Sequence, residues 1–389
     1  MSALWDEVVS SSDESLWRAA VLASLPQITP RRLSMMFSAG GPDEVWETLR
    51  GELPVSGAAD AVSAVVDGAQ MGDLWRSRCS SESLVNMRDV CLRHGIGVTY
   101  RGHHDYPSAL LHDHQPPAVL FYRGSLAVIA AHRRCGIVGT RSATPLGRRF
   151  AERLGGDLAA SGVSVVSGLA KGIDAAAHSG TRDCLSASSA PHAALGAPIA
   201  VVANGLDTVY PRHHTALFDF VSANGVIISE SAPGTPPEPF RFPLRNRIIA
   251  ALSEVLVVVE SRAAGGSMHT VDAAMMRGVP VLAVPGAPGA AASVGTNRLI
   301  SEGCAPCVHV DDALVALGLH GPIRQLSPHV LDHDSQHVLQ ALVDGPMALD
   351  ALVQRTGFEL IRLVRVLGGL EARGLVAHEA GWWQGVIAM

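Results

Sequence analysis

Glycine, a small hydroxyl and a cation recur together in this chain, each time just after a short Val- and Ile-rich run. After CGIVG the sequence reads GTRSATPLG, with Gly139, Thr140 and Arg141. Glycine lets main chain turn sharply and approach a ligand. A helix that follows offers its first amides to an anion, and a guanidinium adds a planar fork for phosphate. After VSVVS comes SGLAKGIDAAAH, with Ser167, Gly168, Lys171, Asp174 and His178. Lys171 is the one lysine among 30 basic residues. Asp174 and His178 share a helix face, but without a nucleophile they read as a cap and a packed ring sooner than as an acid–base pair.

Four more loops continue the pattern. ANGLDTVYPRHH brings Asn204, Gly205 and Tyr210. A Pro-rich loop delivers Phe240, Arg241, Phe242, Arg245, Asn246 and Arg247. Rings alternating with cations suit stacked bases and paired phosphates; the plainer reading is that the phenylalanines pack the loop down. ESRAAGGSMHTVD opens a helix with Gly265, Gly266 and Ser267, a nest of amides. GTNRLISEGC adds Asn297 and Arg298. A single such loop is an ordinary strand-to-helix turn. Several at one edge make a row of phosphate seats, and a row suits a polymer. None of the loops is GxGxxG or GxxxxGK[ST], so the nicotinamide and Walker-type readings lack their fingerprints. Cys304 and Cys307 form a lone CxxC near His309, and the 17 histidines are dispersed, so neither a metal nor a cofactor is expected.

The loops can act together only if strands set them along one edge. CGIVG, VSVVS, PIAVVA, GVIIS, EVLVVVE and PVLAVP are nearly continuous apolar runs, as in parallel strands buried on both faces. Between them apolar residues recur at helical spacing, clearest in Leu146, Phe150, Leu154 and Leu158. The alternation predicts an α/β fold: an extended Rossmann-like, doubly wound, mostly parallel sheet. GIGVTY and PPAVLFYRG predict two further strands before it. Helical spacing punctuated by Pro26, Pro30, Gly40 and Gly41 predicts an N-terminal helical domain over residues 1–95, ahead of a Rossmann domain over 96–318. Residues 319–330 read as a linker. Three helices and a hairpin over 331–389 predict a winged helix.

Composition bounds what these parts do. With 48% apolar and 17% charged residues the chain buries a core and is not disordered. No apolar run is long enough to span a bilayer. The acidic start is unlike a signal peptide, and six scattered cysteines fit reduced thiols; a cytoplasmic protein is expected. The net charge is −6. Acids outnumber bases in the two terminal parts while bases slightly outnumber acids between them, which places an anionic partner on the middle. The third helix of the winged-helix part carries Arg362, Arg365 and Arg373 but also Glu359 and Glu371. DNA reading stands about level there with protein contact or structural closure.

In order along the chain, GIVGTRSAT, VVSGLAKGIDAAAH, NGLDTVYP, FPLRNRIIAALS, GGSMHTVDAAMMRGVPVLAVPG and GTNRLISEGC resemble the DNA-processing protein A (DprA, or Smf) family, nearly end to end. The resemblance implies a homodimeric, single-stranded DNA-binding protein without enzymatic activity. Such a protein guards incoming strands in natural transformation and homologous recombination and loads the recombinase RecA, with single-strand-binding protein as competitor. It implies a sterile-alpha-motif or helix-hairpin-like start and a winged-helix end. By position it implies DNA phosphate contacts at Gly139, Thr140, Arg141, Ser167, Gly168, Lys171, Arg245, Asn246, Arg247, Gly266 and Ser267, with Phe240 or Phe242 stacking a base. The sequence departs from the family pattern at Arg212, His213 and His214 after YP, at Ala251, Gly265 and His269, and in an irregular Ala/Ser-rich insertion over 182–197. The alternative is a nucleotide enzyme of the phosphoribohydrolase type. That reading needs PGGxGTxxE, whereas here the nest lacks GTxxE and Glu260 precedes it.

Overall fold

The computed structural model describes residues 14–52, 57–191, 194–319, 332–372, 375–379 and 381–385. Most of the expected linker and Arg373 lie outside these residues. Nine strands build one sheet: β1 (Gly97–Tyr100), β2 (Val119–Gly124), β3 (Arg133–Val138), β4 (Val163–Ser167), β5 (Pro198–Val202), β6 (Val226–Ser229), β7 (Val255–Val258), β8 (Val281–Ala283) and β9 (Ala305–Pro306). Their order across the sheet is β1-β2-β6-β5-β4-β3-β7-β8-β9. From β6 to β9 every pairing is parallel; β2 joins β6, and β1 joins β2, antiparallel. All residues of β4, β5, β6 and β7 are buried, which is why these strands read as unbroken Val/Ile runs.

The chain steps outward from β3 through β4 and β5 to β6, then returns to the other side of β3 for β7. That reversal is the switch point of a doubly wound sheet, where the loops leaving neighbouring strands part and leave a crevice. The loops after β3, β4, β5 and β7 therefore border one region.

Helices clothe the sheet. Pro145–Ala160 and Ile173–Ala187 cross so closely that glycine is required where they meet. A Cβ on Gly180 would stand 1.7 Å from the Glu152 carbonyl oxygen. Gly180→Ala is expected to push the helices apart at about 1–3 kcal/mol of stability, read by urea unfolding; an unchanged midpoint would contradict this packing. The helix continues through Asp183–Cys184–Leu185 to Ala187, so the first six of the sixteen residues expected to be an irregular insertion are helical. Leu185 anchors it by packing on Ala159 and Leu195.

Before the sheet come the helices Glu14–Ala23, Pro30–Ala39, Pro42–Arg50, Gly57–Val65, Ala69–Arg78 and Ser81–His94. Thr29 and Ser80 cap two of them by accepting main-chain N–H bonds. Trp46 and Trp75 are buried in a core that also takes in Val119, Phe121, Ala200, Val202 and Ile227. The apolar stripes of these helices thus cover part of one sheet face.

Two compact units result: residues up to 143 with 150–318, and 144–149 with the chain from 319 on. The second contains the helices His333–Ala341, Leu349–Thr356 and Leu360–Ala372 around Val338, Leu352, Leu363 and Leu367. Its strands are β10 (Met347–Ala348), β11 (Val376–Glu379) and β12 (Trp382–Gly385), ordered β10-β12-β11. The two-residue β10 is too short to leave a period in the sequence. On the third helix Arg362 is held by Asp334 through bonds of 2.6 and 2.8 Å. Leu360, Ile361 and Val364 stand exposed beside it.

Candidate nucleic-acid interface

The loop after β4 is bent by Leu169, a buried residue held at φ +53°. Non-glycine residues adopt that conformation only where surroundings enforce it. Here the Leu169 carbonyl oxygen meets His214 Nδ1 at 2.9 Å. The bend leaves Lys171 exposed while Asp174 turns inward. Asp174 accepts hydrogen bonds from the amides of Gly168 and Ala170 and faces the Arg245 guanidinium. The loop amides expected to receive a phosphate therefore already hold a carboxylate.

Arg245 is buried. Its Nη1 donates to the carbonyls of Gly168, at 2.9 Å, and of Val201. Gly168 is required beneath it, because a Cβ there would sit 2.4 Å from Nη1 and 2.6 Å from the Asp174 carboxylate. Burial raises the Asp174 carboxyl to about 6, against the pull of Arg245, and lowers the Arg245 guanidinium to about 10. Both are charged at neutral pH, so Arg245 and Asp174 form an internal clamp across the roots of the loops.

Other expected contacts also turn inward. Arg247 donates to both Glu230 oxygens at 2.6 Å and to the Gln115 carbonyl at 2.8 Å. Asn246 donates to the Gly266 carbonyl. Ser167 Oγ donates to the Ile137 carbonyl at 2.6 Å, and Ser267 Oγ to Ser261 Oγ at 2.8 Å. The Thr140 amide is bonded to the Glu260 carbonyl, and its Oγ1 accepts from the Ser142 amide. Gly139 lies against Ile173 and Glu260. Gly266 is exposed, with open space where a Cβ would be. These groups build the crevice walls.

Arg141 and Lys171 face outward. Both are exposed, and neither enters an ion pair among the described residues. With Tyr210, Pro211, Phe242, Asn204 and Gly168 they line a cleft with about 40 Å³ of space for water. That is room for a few solvent molecules and too little to enclose a nucleotide. The Arg141 guanidinium lies over the Phe242 ring at 4.3 Å, and the ring of Tyr210, a residue 42% exposed, stands 6.0 Å from that of Phe242. Arg141 is thus held by a ring rather than by an acid, so its charge stays available to a ligand. Phe240 lies apart from this group, 59% exposed under Arg241. Tyr210, read in the sequence only as an aromatic face, completes the aromatic pair.

His178 lies one turn along the helix from Asp174. It is fully buried, and among the described residues neither ring nitrogen has a hydrogen-bond partner. Burial depresses it to about 3, and the nearby Ser167 main chain offsets little of that. An unfolded histidine titrates near 6.5, so the unfolded chain binds the extra proton first. This contribution to stability is whole above about pH 6.5 and is lost as the pH falls toward 3. The stability difference between wild type and His178→Leu should therefore shift by about 2 kcal/mol against wild type between pH 7 and pH 5. Urea unfolding at both pH values reads it; a pH-independent difference would place a charged or solvated ring at this position.

The sequence profile described as "DNA recombination-mediator protein A" matches residues 97–318, and the profile of the "DprA winged helix domain" matches 322–381. The protein Smf of Synechocystis sp. is 33% identical over 320 residues, 71% of this chain and 77% of its own. The chain belongs to the DprA/Smf family. The DNA processing protein DprA of Bacillus subtilis is 36% identical over 209 residues, 54% of this chain and 67% of its own. The X-ray structure of DprA from Streptococcus pneumoniae superposes with a TM-score of 0.61 at 28% identity, covering 76% of this chain and 95% of that one. In this DprA/Smf chain the profile begins at β1 and ends before the winged-helix unit. The crevice, its clamp and its outward cations all fall inside it.

Proposed function

We propose that the chain binds single-stranded DNA across the cleft at the switch point. Phosphates would rest on Arg141 and Lys171 and a base on the Tyr210–Phe242 pair. The observation that carries this reading is the placing of two cations, outside ion pairs among the described residues, beside the exposed Tyr210 and the half-buried Phe242, on a cleft too small to engulf a nucleotide. A duplex hides its base faces; an unpaired strand offers rings and phosphates together and needs no sequence readout. Membership of a family whose profile is described as a recombination mediator supports a DNA-processing role in transformation and recombination. The proposal extends to guarding of strands and loading of RecA in competition with single-strand-binding protein, by a homodimer in the cytoplasm. Among the described residues no helix is long and apolar enough to cross a membrane.

The proposed role is binding without catalysis. Asp174 and Glu260, on loops that border the cleft, are buried, Asp174 is committed to the clamp, and Asp207 accepts a bond from the Gly234 amide. A hydrolase of the nucleoside-monophosphate type needs a carboxylate presented to the sugar. Fluorescence anisotropy with labelled oligo-dT, in parallel with a search for free base released from nucleoside monophosphates, separates the two readings. Saturable strand binding with no base release is expected; base release with indifference to oligo-dT would reverse the conclusion.

Stacking gives a more local expectation. Tyr210→Ala should weaken oligo-dT binding by about 1–3 kcal/mol, and Tyr210→Phe should not. Equal losses in both would assign the tyrosine's effect to its hydroxyl rather than its face.

A further inference from the structure

The turn after β1 carries chemistry that strand binding does not use. Because β1 is antiparallel to β2 and β2 to β6, β1 runs with the parallel strands, and its turn lies at the outer end of the cleft's own sheet edge. The turn reads Arg101–Gly102–His103–His104–Asp105–Tyr106. It is closed by main-chain bonds from Arg101 to Ala118, from His103 to Tyr100 and from Tyr106 to His103, at 2.9, 2.9 and 3.1 Å. The buried Tyr106 pins it by donating to the Pro117 carbonyl at 2.8 Å. Donor atoms of His103, His104 and Asp105 lie within 4.8 Å of one another on this fixed frame.

Each of the three is held differently. The His103 side chain is only 7% exposed, against the Tyr100 ring at 5.3 Å, and its Nδ1 is hydrogen-bonded to Asp105 Oδ1. Thr99 Oγ1 donates to the same carboxylate oxygen at 3.3 Å. The exposed His104 ring lies 4.3 Å from that of His103. A simple His–Asp pair accounts for His103 and Asp105. It does not account for a second imidazole gathered onto the pair.

We propose that His103, His104 and Asp105 bind one divalent transition-metal ion, of which Zn²⁺ fits best. Two imidazoles and one carboxylate form an N, N, O set. Such a set favours zinc and its first-row neighbours over Mg²⁺ and Ca²⁺, which take oxygen. Zinc has no geometric demand from its d electrons and accepts three protein ligands with water in the fourth place. The Thr99 hydroxyl is the outer bond that orients the carboxylate. His104 and Asp105 are exposed, so the ion enters from solvent. Bound there it would tie the end of the edge strand to the following turn, a structural clip rather than a catalytic centre.

The full chain, freed of metal by chelation and dialysis, is titrated with Zn²⁺ against a chromophoric chelator, with Mg²⁺ in a parallel titration. One Zn²⁺ per chain is expected, unaffected by excess Mg²⁺ and weakened about tenfold or more in His104→Ala and in Asp105→Asn. Both altered residues are exposed, so the metal-free melting temperatures should match wild type. Only wild type should melt higher with Zn²⁺. Co²⁺ should give ligand-field absorption without a thiolate charge-transfer band. Absence of saturable binding, or an affinity unchanged in both variants, overturns the site. A thiolate band would move the ion to the cysteines and overturn it equally.

Discussion

Replacing Arg141 and Lys171 together by alanine should raise the Kd for oligo-dT on the order of 100-fold, while each single change raises it about tenfold. A charge-assisted contact to phosphate is worth roughly 1.5–3 kcal/mol, and in the proposed complex the two cations act on one strand. The signature is ionic. A single strand releases about 0.7 counterion per neutralised phosphate, so the slope of log K against log salt should flatten by about 1.4 in the double variant. Base composition should not matter to the loss. Stability should fall by no more than about 1 kcal/mol, because both side chains are exposed and outside ion pairs among the described residues, and the contact given up is that of Arg141 with the Phe242 ring. Anisotropy titrations at several salt concentrations test every part. Retained affinity with an unchanged slope would move the strand off this cleft.

Arg245→Ala should fail in a different way. It strands the buried Asp174 carboxylate, and breaking a buried pair from one side costs about 3–5 kcal/mol. Strand binding should then fall with the folded fraction, not with salt. Asp174→Asn combined with Arg245→Met should recover much of the loss, since no buried charge remains and the amide oxygen still accepts from Gly168 and Ala170. The pH dependence is fixed by sign. Burial already places the Asp174 carboxyl near 6, above its unfolded value, and Arg245 holds it down. The Asp174 contribution is therefore full below about pH 4 and lost as the pH rises through 6. Without Arg245 the carboxyl titrates higher still, so the penalty of Arg245→Ala should be larger at pH 7.5 than at pH 5. Urea unfolding at the two pH values decides; an equal penalty would show that Asp174 and Arg245 are not coupled.

The contrast between these arginines marks where the sequence stops being legible. The sheet was readable because strands buried on both faces leave unbroken Val/Ile runs, and the glycine-rich turns after them had to share one edge. Which polar groups face out was not readable from residue type. RFPLRNR looks like a row of cations, yet Arg245, Ile248, Ile249 and Leu252 follow one helical face, and that face is buried. The spacing held this signal; the attraction of arginine for phosphate obscured it. Arg247 is engaged by Glu230 at the end of β6, an acid that stands before the Pro-rich loop in sequence and beside the helix in space. The loop amides show the same limit. Its place in the sequence suits Asp174 to capping its own helix, whereas its carboxylate fills the preceding loop. Tyr210 and Phe242 come from loops after different strands, and only the strand order brings their rings together.

The central claim is that an unpaired strand crosses Arg141, Phe242, Tyr210 and Lys171. The most direct measurement is photocrosslinking of oligo-dT bearing 5-iododeoxyuridine, with the modified peptide mapped by mass spectrometry. Crosslinks at Tyr210 or Phe242, lost in the Arg141→Ala/Lys171→Ala chain, are the predicted result. Crosslinks confined to the winged-helix unit, and indifferent to those two substitutions, would contradict it.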